Sequence, residues 1–85
     1  MGQIITSLDT EGMLPQLKFY CDMKRHLVCV PYSIENLHCM AEELGIARCW
    51  FHGDHYDMPK RRIVELQSRC EVVSSKEIVR IINGK

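Results

Sequence analysis

The chain has 85 residues, of which 46% are hydrophobic and 26% are charged. This length suits one domain with a thin core, because a chain of this size buries only about 60% of the surface that its extended form exposes. Its 11 basic and 11 acidic residues balance, so it lacks the overall positive field that drives binding to nucleic-acid phosphates. No stretch approaches the roughly 18 apolar residues that span a bilayer, and we expect a soluble protein.

The cysteine pattern predicts a cytoplasmic protein with reduced thiols. Five cysteines are an odd number, none forms a C-x-x-C pair and no signal peptide precedes them, so we expect mostly buried thiols: Cys21, Cys29, Cys39, Cys49 and Cys70. Residues 1–6 also fit the myristoylation pattern M-G-x-x-x-[ST]. A single acyl chain gives only marginal membrane binding, and we expect no membrane association.

The first 16 residues allow two interpretations, and two short strands are predicted after them. Residues 1–16 suggest a short strand and turn, or an arm lying over the domain, and residues 17–82 form the expected core. Residues 17–22 and 26–30 have the apolar, β-prone composition of strands. Two further strands are expected at residues 47–52 and at residues 70–73, the last of them in the core.

Helices are expected between these strands. Ser33 can cap a helix that ends at Gly45, with apolar residues at helical spacing: Ile34, Leu37, Met40, Ala41 and Leu44. Asp57 can cap a second helix with Pro59 in its first turn, buried through Ile63, Val64, Leu66 and Cys70. A capping box of Ser74 and Glu77 opens a third helix, whose inward residues are Ile78, Val79, Ile81 and Ile82.

Strands that alternate with helices favour an α/β fold: a small parallel or mixed sheet with two to three covering helices, in a Rossmann-like arrangement of three layers or two. In an open sheet, ligands bind outside the carboxyl ends of the strands. Polar residues collect there, since Asp22 follows the first strand, residues 52–57 follow the third and residues 74–75 follow the fourth. His26 lies four residues beyond Asp22 and can fold back toward the same crevice.

Two kinds of binding site fit the polar residues at the strand ends. One is a divalent metal whose bound water becomes a nucleophile, with ligands from His52, Asp54 and His55, and from Asp57, Asp22 or His26. The spacing lacks the i, i+4 helical geometry of H-E-x-x-H. The other is an anion held by the first-turn amides of the helix near Met58, with basic clamps at Lys60, Arg61 and Arg62 and hydrogen bonds from His52 and His55.

The same residues also have a purely structural interpretation. His55 and Asp57 could pair to order the loop, Asp57 could be only a helix cap, and the basic run could be a solvated helix face. His38 is most simply a half-buried imidazole with its hydrogen bonds satisfied. Neither a G-x-S-x-G elbow nor a glycine-rich nucleotide loop occurs, and the neighbouring Trp50 suggests that Cys49 is buried.

Several sequence motifs carry a resemblance to a known family. They are the helix Ile-Glu-Asn-Leu-His-Cys-Met-Ala at 34–41, the pair Trp50-Phe51, the loop Gly-Asp-His-Tyr-Asp at 53–57 and Tyr20-x-Asp22 at the end of a strand. Over residues 17–80 the chain resembles the domain of unknown function (DUF) 4031 family, small proteins of bacteria and their phages. The resemblance implies the α/β architecture, the same site and the cytoplasm of a bacterium or of a phage host, and it implies no reaction.

Our leading hypothesis is a strand-end site that binds, or as an enzyme hydrolyses, a small phosphorylated or nucleotide-like anion. Its candidate catalytic residues are Asp22, His55 and Asp57, and its candidate ligand-binding residues are His26, His52, Lys60 and Arg61. No cofactor is identified, and a divalent metal is one option.

Two other classes of function stay open. The first is an accessory protein that acts by contact with another protein, for example by inhibiting a host factor, and a thin core would favour a homodimer. The second is a weak nucleic-acid binder with a helix-face patch, which the balanced charge disfavours. That patch would consist of Lys60, Arg61, Arg62 and Arg69.

Overall fold

The computed structural model describes residues 16–84, in which four strands form one mixed sheet of order β3-β2-β1-β4. The strands are β1 Lys18–Cys21, β2 His26–Val30, β3 Tyr56–Asp57 and β4 Glu71–Val72. Strand β2 runs antiparallel to both β1 and β3, whereas β4 is parallel to β1. The carboxyl ends of β1, β3 and β4 therefore lie at the same edge of the sheet as the start of β2.

Three α-helices accompany the sheet: α1 Ile34–Leu44, α2 Ile63–Arg69 and α3 Ser75–Asn83. Short 3-10 turns precede β3 at Arg48–Trp50 and precede α2 at Lys60–Arg62. A mixed sheet with three helices confirms the prediction of a small α/β fold. None of the helices within residues 16–84 has the length and apolar character needed to cross a membrane.

Local signals fix both ends of α1. The Ser33 hydroxyl accepts a hydrogen bond from the Asn36 amide at 3.0 Å, and Gly45 takes a left-handed conformation with φ of 73°, which costs glycine little. Both features confirm the sequence prediction. The guanidinium of Arg62 adds a second cap, because it donates to the carbonyl oxygens of Leu44 at 2.7 Å and Gly45 at 2.9 Å.

Successive side chains of β2 point to opposite faces of the sheet, and this alternation separates core residues from residues of the candidate site. Leu27 pairs with Tyr56, whose hydroxyl bonds to His38 of α1, so this face of the sheet packs against α1. His26 and Val28 point to the other face, which is covered by α3. The core comprises Cys21, Leu27, Val28, Cys29, Leu37, Met40, Ala41, Leu44, Ile46, Tyr56, Met58, Leu66 and Ile78.

The segment around Trp50 and Phe51 differs from the prediction of a strand over residues 47–52. Arg48–Trp50 is a 3-10 turn, and Phe51 forms a single bridge with Tyr56. The intervening chain turns back at once, with the His52 amide donating to the His55 carbonyl at 2.8 Å. A turn this tight leaves Phe51 as the short arm of a hairpin rather than part of a strand.

Two predictions for the second helix are wrong. Asp57 belongs to β3, opposite His26, so it is no helix cap. Pro59 instead precedes the 3-10 turn, which has no side-chain cap, and α2 begins at Ile63. Val64 is 82% exposed, because this short helix buries only the stripe around Leu66.

The last part of the chain is predicted better. The Ser74 hydroxyl accepts from the Glu77 amide at 3.1 Å, which confirms the cap of α3. Strand β4, however, has two exposed residues at the sheet edge and is not the core strand expected at 70–73. Val79 is 54% exposed rather than inward. The expected arm lies outside the described residues, apart from its last residue, and so does the myristoylation pattern.

Candidate functional site

The carboxylate of Asp22 is the buried centre of the site. Asp22 is 0% exposed and follows β1 directly, at the edge of the sheet where β2 begins. Its Oδ1 accepts hydrogen bonds from the amides of Lys24 at 2.9 Å and His26 at 3.1 Å. Its Oδ2 accepts from His26 Nδ1 and from the Ser75 hydroxyl, both at 2.7 Å.

These four hydrogen bonds keep Asp22 ionised. Burial by itself would raise its pKa, since it removes water from the charged form. The hydrogen bonds from Ser75, from the His26 ring and from the backbone outweigh that effect, and the pKa of Asp22 is lowered. The site therefore contains a fixed negative charge that is held by donors from β2, from α3 and from the turn after β1.

His26 connects Asp22 to the histidines of the hairpin. Its Nδ1 faces Asp22, while its Nε2 makes no hydrogen bond to any residue between 16 and 84. The His26 ring meets the ring of His55 edge-on, with 5.0 Å between centroids. Asp22 and His55, which the sequence analysis expected in one crevice, thus lie on either side of His26.

The turn between Phe51 and Tyr56 carries the remaining polar residues. His55 Nδ1 lies 2.6 Å from Asp54 Oδ1, and His55 Nε2 lies 3.3 Å from Asp57 Oδ1. His52 Nε2 lies 3.3 Å from the other oxygen of Asp57, and its ring stacks on His55 at 5.7 Å. The predicted cluster is therefore assembled as an alternating series of acids and imidazoles.

Backbone geometry and one distant side chain hold this turn in place. Gly53 has a φ of 78°, a conformation that L side chains rarely adopt. The Tyr32 hydroxyl donates to the Asp54 carbonyl at 2.7 Å. Burial, followed by the nearby Asp54 carboxylate, raises the pKa of Tyr32, so this phenol remains a donor at neutral pH.

A cleft of about 200 Å³ opens beside this cluster. The hairpin and β2 contribute its polar side, with His26, Asp54 and His55, and α3 contributes Ser75 at one end. The rest of the wall is aliphatic and comes from α3: Ile78, Val79 and Ile82. The cleft thus places an apolar helix face opposite two imidazole rings.

The basic residues proposed as anion clamps lie apart from these contacts. No hydrogen bond or ion pair within residues 16–84 joins Lys60 or Arg61 to the histidines or acids of the cluster. Arg62 is occupied with the end of α1 and with Glu65 at 2.8 Å, and Arg69 lies 3.4 Å from Glu65. Two of the four residues of the postulated nucleic-acid patch therefore have partners on the protein.

The metal interpretation finds no preformed ligand set. Among the described residues, no three side chains of His, Cys, Asp or Glu converge as metal ligands would. Asp54, His55 and Asp57 instead direct their polar atoms at one another. A metal at His52, Asp54 and His55 would have to replace the contact between Asp54 and His55.

The thiols offer no activated nucleophile in this region. Burial raises the pKa of Cys29 to about 11 and that of Cys70 to about 12, so both remain protonated. All five cysteines are free. Cys39 and Cys49 are exposed, which corrects the expectation of mostly buried thiols and of a buried Cys49.

Sequence reasoning missed two residues that organise the site. Ser75 was noted only as a residue at a strand end, and its hydrogen bond to Asp22 spans 53 positions. Tyr32 was not singled out, and its bond to Asp54 spans 22 positions. Only the position of Ser75 after a strand gave any signal, because both contacts depend on how the sheet is assembled.

Comparison with known proteins gives a family and no activity. The family model described as "Protein of unknown function (DUF4031)" matches residues 15–85, which is most of the chain. No curated protein and no solved structure matches the chain. The chain belongs to the DUF4031 family.

Proposed function

We propose that the cluster is an acid–base site at which His26, oriented by Asp22, activates water for the hydrolysis of a small ligand in the adjacent cleft. The observation that carries the proposal is the buried, ionised Asp22 bonded to His26 Nδ1 at 2.7 Å. Burying a charge is costly, and here the charge fixes an imidazole that lines a cleft.

The Asp22 bond decides which nitrogen of His26 is basic. A carboxylate only accepts hydrogen bonds, so a neutral His26 must carry its proton on Nδ1. The lone pair then resides on Nε2, which is available to accept a proton from water.

We propose that His55 is the proton donor of the site. Its two ring nitrogens face Asp54 at 2.6 Å and Asp57 at 3.3 Å, so neither is as available as His26 Nε2. A ring flanked by two acceptors is suited to donate a proton or a hydrogen bond. We propose that His55 donates a hydrogen bond to the ligand and a proton to its leaving group, and that His26 is the base.

The acid–base role in the leading hypothesis has more support than the suggestion that the ligand is an anion. Three carboxylates, those of Asp22, Asp54 and Asp57, surround the histidines. Within the described chain, Lys60 and Arg61 make no hydrogen bond or ion pair with this group. A phosphorylated or nucleotide-like ligand stays a prediction, and it would depend on positive charge from the imidazoles.

Hydrolysis of two chromogenic probes, p-nitrophenyl acetate and p-nitrophenyl phosphate, tests the proposal. We expect His26→Gln to reduce kcat/KM for the better probe by at least about 100-fold, the usual size of a general-base contribution. His55→Ala should weaken probe binding and leave the melting temperature within a few degrees, because the half-buried His55 is not part of the hydrophobic core.

His38→Gln is the matched control, since it removes a histidine that has the same type of Nδ1 contact on the other face of the sheet. It should leave hydrolysis of the better probe nearly unchanged. Equal rates for His26→Gln and the parent protein, or equal losses in His26→Gln and His38→Gln, would refute the proposal. Circular dichroism of each variant separates a lost site from a lost fold.

A further inference from the structure

We infer that the substrate of this site is an uncharged carboxylic ester with a small apolar acyl group, which packs against the side of the cleft formed by α3. The inference rests on the proposed function and specifies its substrate class. It is carried by the composition of the cleft: one acid, Asp54, and two imidazoles on one side, and Ile78, Val79 and Ile82 on the other.

The charge around the cleft disfavours a phosphorylated substrate. Asp54 lines the cleft itself, Asp22 is bonded to His26 and Asp57 lies 3.3 Å from His55. Like charges repel strongly where water is partly excluded. Of these three carboxylates only Asp54 lines the cleft, and a phosphate group would meet it with only imidazoles in opposition, whereas an uncharged ester carbonyl meets no such repulsion.

The α3 wall includes one apolar side chain, that of Val79, which the fold itself leaves exposed. Val79 is 54% exposed, although its helical spacing beside Ile78 and Ile82 predicts an inward position. It lies at the cleft, where a ligand would cover it and remove it from water. The volume of about 200 Å³ is below the roughly 300 Å³ at which pockets for drug-sized ligands begin, so the acyl group must be short.

The reaction that fits is simple hydrolysis with water as co-reactant. His26 Nε2 takes a proton from water as the water oxygen bonds to the carbonyl carbon. The bond from that carbon to the alcohol oxygen then breaks, and the departing oxygen receives a proton from His55. The proton that His26 took up is returned to His55 through water, which restores the site. The products are the carboxylic acid and the alcohol, with no change of oxidation state and no covalent enzyme intermediate.

The p-nitrophenyl esters of acetate, propionate and butyrate, compared with p-nitrophenyl phosphate, test the substrate class. If each added methylene is buried against α3, kcat/KM should rise about threefold per carbon. The phosphate ester should be hydrolysed at least about 100-fold more slowly than butyrate. Val79→Ser should flatten the increase along the series, without changing the melting temperature.

Val64→Ser is the matched control, because Val64 is also an exposed helical valine, on α2, and does not line the cleft. It should keep the full chain-length preference. Rates that do not depend on chain length, equal effects of the two valine variants, or faster cleavage of the phosphate ester would overturn the inference. If the activity is nevertheless lost in His26→Gln, the proposed acid–base function stands and only the substrate class is wrong.

Discussion

Two histidines on opposite faces of the sheet make nearly the same hydrogen bond and have different consequences. His26 Nδ1 lies 2.7 Å from a carboxylate oxygen of Asp22, and His38 Nδ1 lies 2.7 Å from the hydroxyl of Tyr56. Both partners are buried, with exposures of 0% for Asp22 and 1% for Tyr56. Distance and burial alone therefore do not distinguish an acid–base pair from a packing contact.

The chemical nature of the partner makes the difference. A carboxylate can only accept, so Asp22 fixes the proton of neutral His26 on Nδ1, whereas the Tyr56 hydroxyl can donate or accept and leaves both tautomers of His38 available. The His38 ring also packs against Phe51, with 4.8 Å between ring centroids. We conclude that His38 makes a packing contact between β3 and α1. His26 is instead held by the charge of Asp22, and its Nε2 remains available.

The largest effect on stability should come from removing the charged partner. Asp22→Ala leaves the Ser75 hydroxyl, the His26 ring and two amides without their acceptor. Each buried donor left unpaired costs about 1–3 kcal/mol, and some of these regain water. We expect the free energy of unfolding in urea to fall by about 3 kcal/mol, a large part of what a domain of this size has.

Asp57→Ala is the control for that measurement. Asp57 is also an acid paired with histidine, but its contacts are longer, at 3.3 Å, and it is not fully buried. Exposed ion pairs contribute roughly 0–1 kcal/mol. If Asp57→Ala destabilised the protein as much as Asp22→Ala, the distinction between a buried anchor and a surface cluster would not hold.

A smaller effect is expected on the other face, from Tyr56→Phe. The ring stays in the core, and only its hydroxyl, the partner of His38, is removed. One net hydrogen bond contributes about 1 kcal/mol, so the free energy of unfolding should fall by that amount. A loss equal to that of Asp22→Ala would show that the two pairs are energetically alike, and an unchanged rate of ester hydrolysis is expected in either case.

How far the sequence predicts these two regions depends on the range of the contacts. Asp22 and His26 are four residues apart, and the ends of α1 are set by Ser33 and Gly45 within its own turns, so local reasoning finds them. The pairing of Asp57 with His26 depends on β3 lying beside β2, and no local pattern encodes that. Trp50 and Phe51 were expected in a strand because short apolar runs do not separate strands from packed turns.

Val79 shows a second reason for failure. A valine beside two isoleucines at helical spacing predicts a buried stripe, and Ile78 does reach the core at 2% exposure. Val79 follows Ile78 in the helix but is 54% exposed and lines the cleft. Such an exposed apolar side chain is visible only once the cleft is known, and it is the feature that bears on the substrate.

The smallest expected effect, confined to acid pH, concerns the charge of Asp22. Hydrogen bonds lower its folded-state pKa in spite of burial, whereas an unfolded aspartate titrates near 3.9. Its contribution is thus fully present above about pH 4 and is lost as the pH falls through the lower folded-state pKa. Asp22→Asn retains an acceptor for the turn amides and lacks this ionisation, so its urea midpoint should fall less steeply than that of the parent below pH 4.

Some acid sensitivity must remain in Asp22→Asn, because the pKa of Glu65 is also lowered, chiefly by its hydrogen bond with Arg62. Adding Glu65→Gln to both proteins removes that contribution, and the difference between parent and Asp22→Asn should persist. Identical pH profiles in that background would mean that Asp22 does not titrate below its unfolded value. The hydrogen bonds to Asp22 would then not stabilise its charged form over its neutral form, and the energetic basis for treating the two histidines differently would disappear.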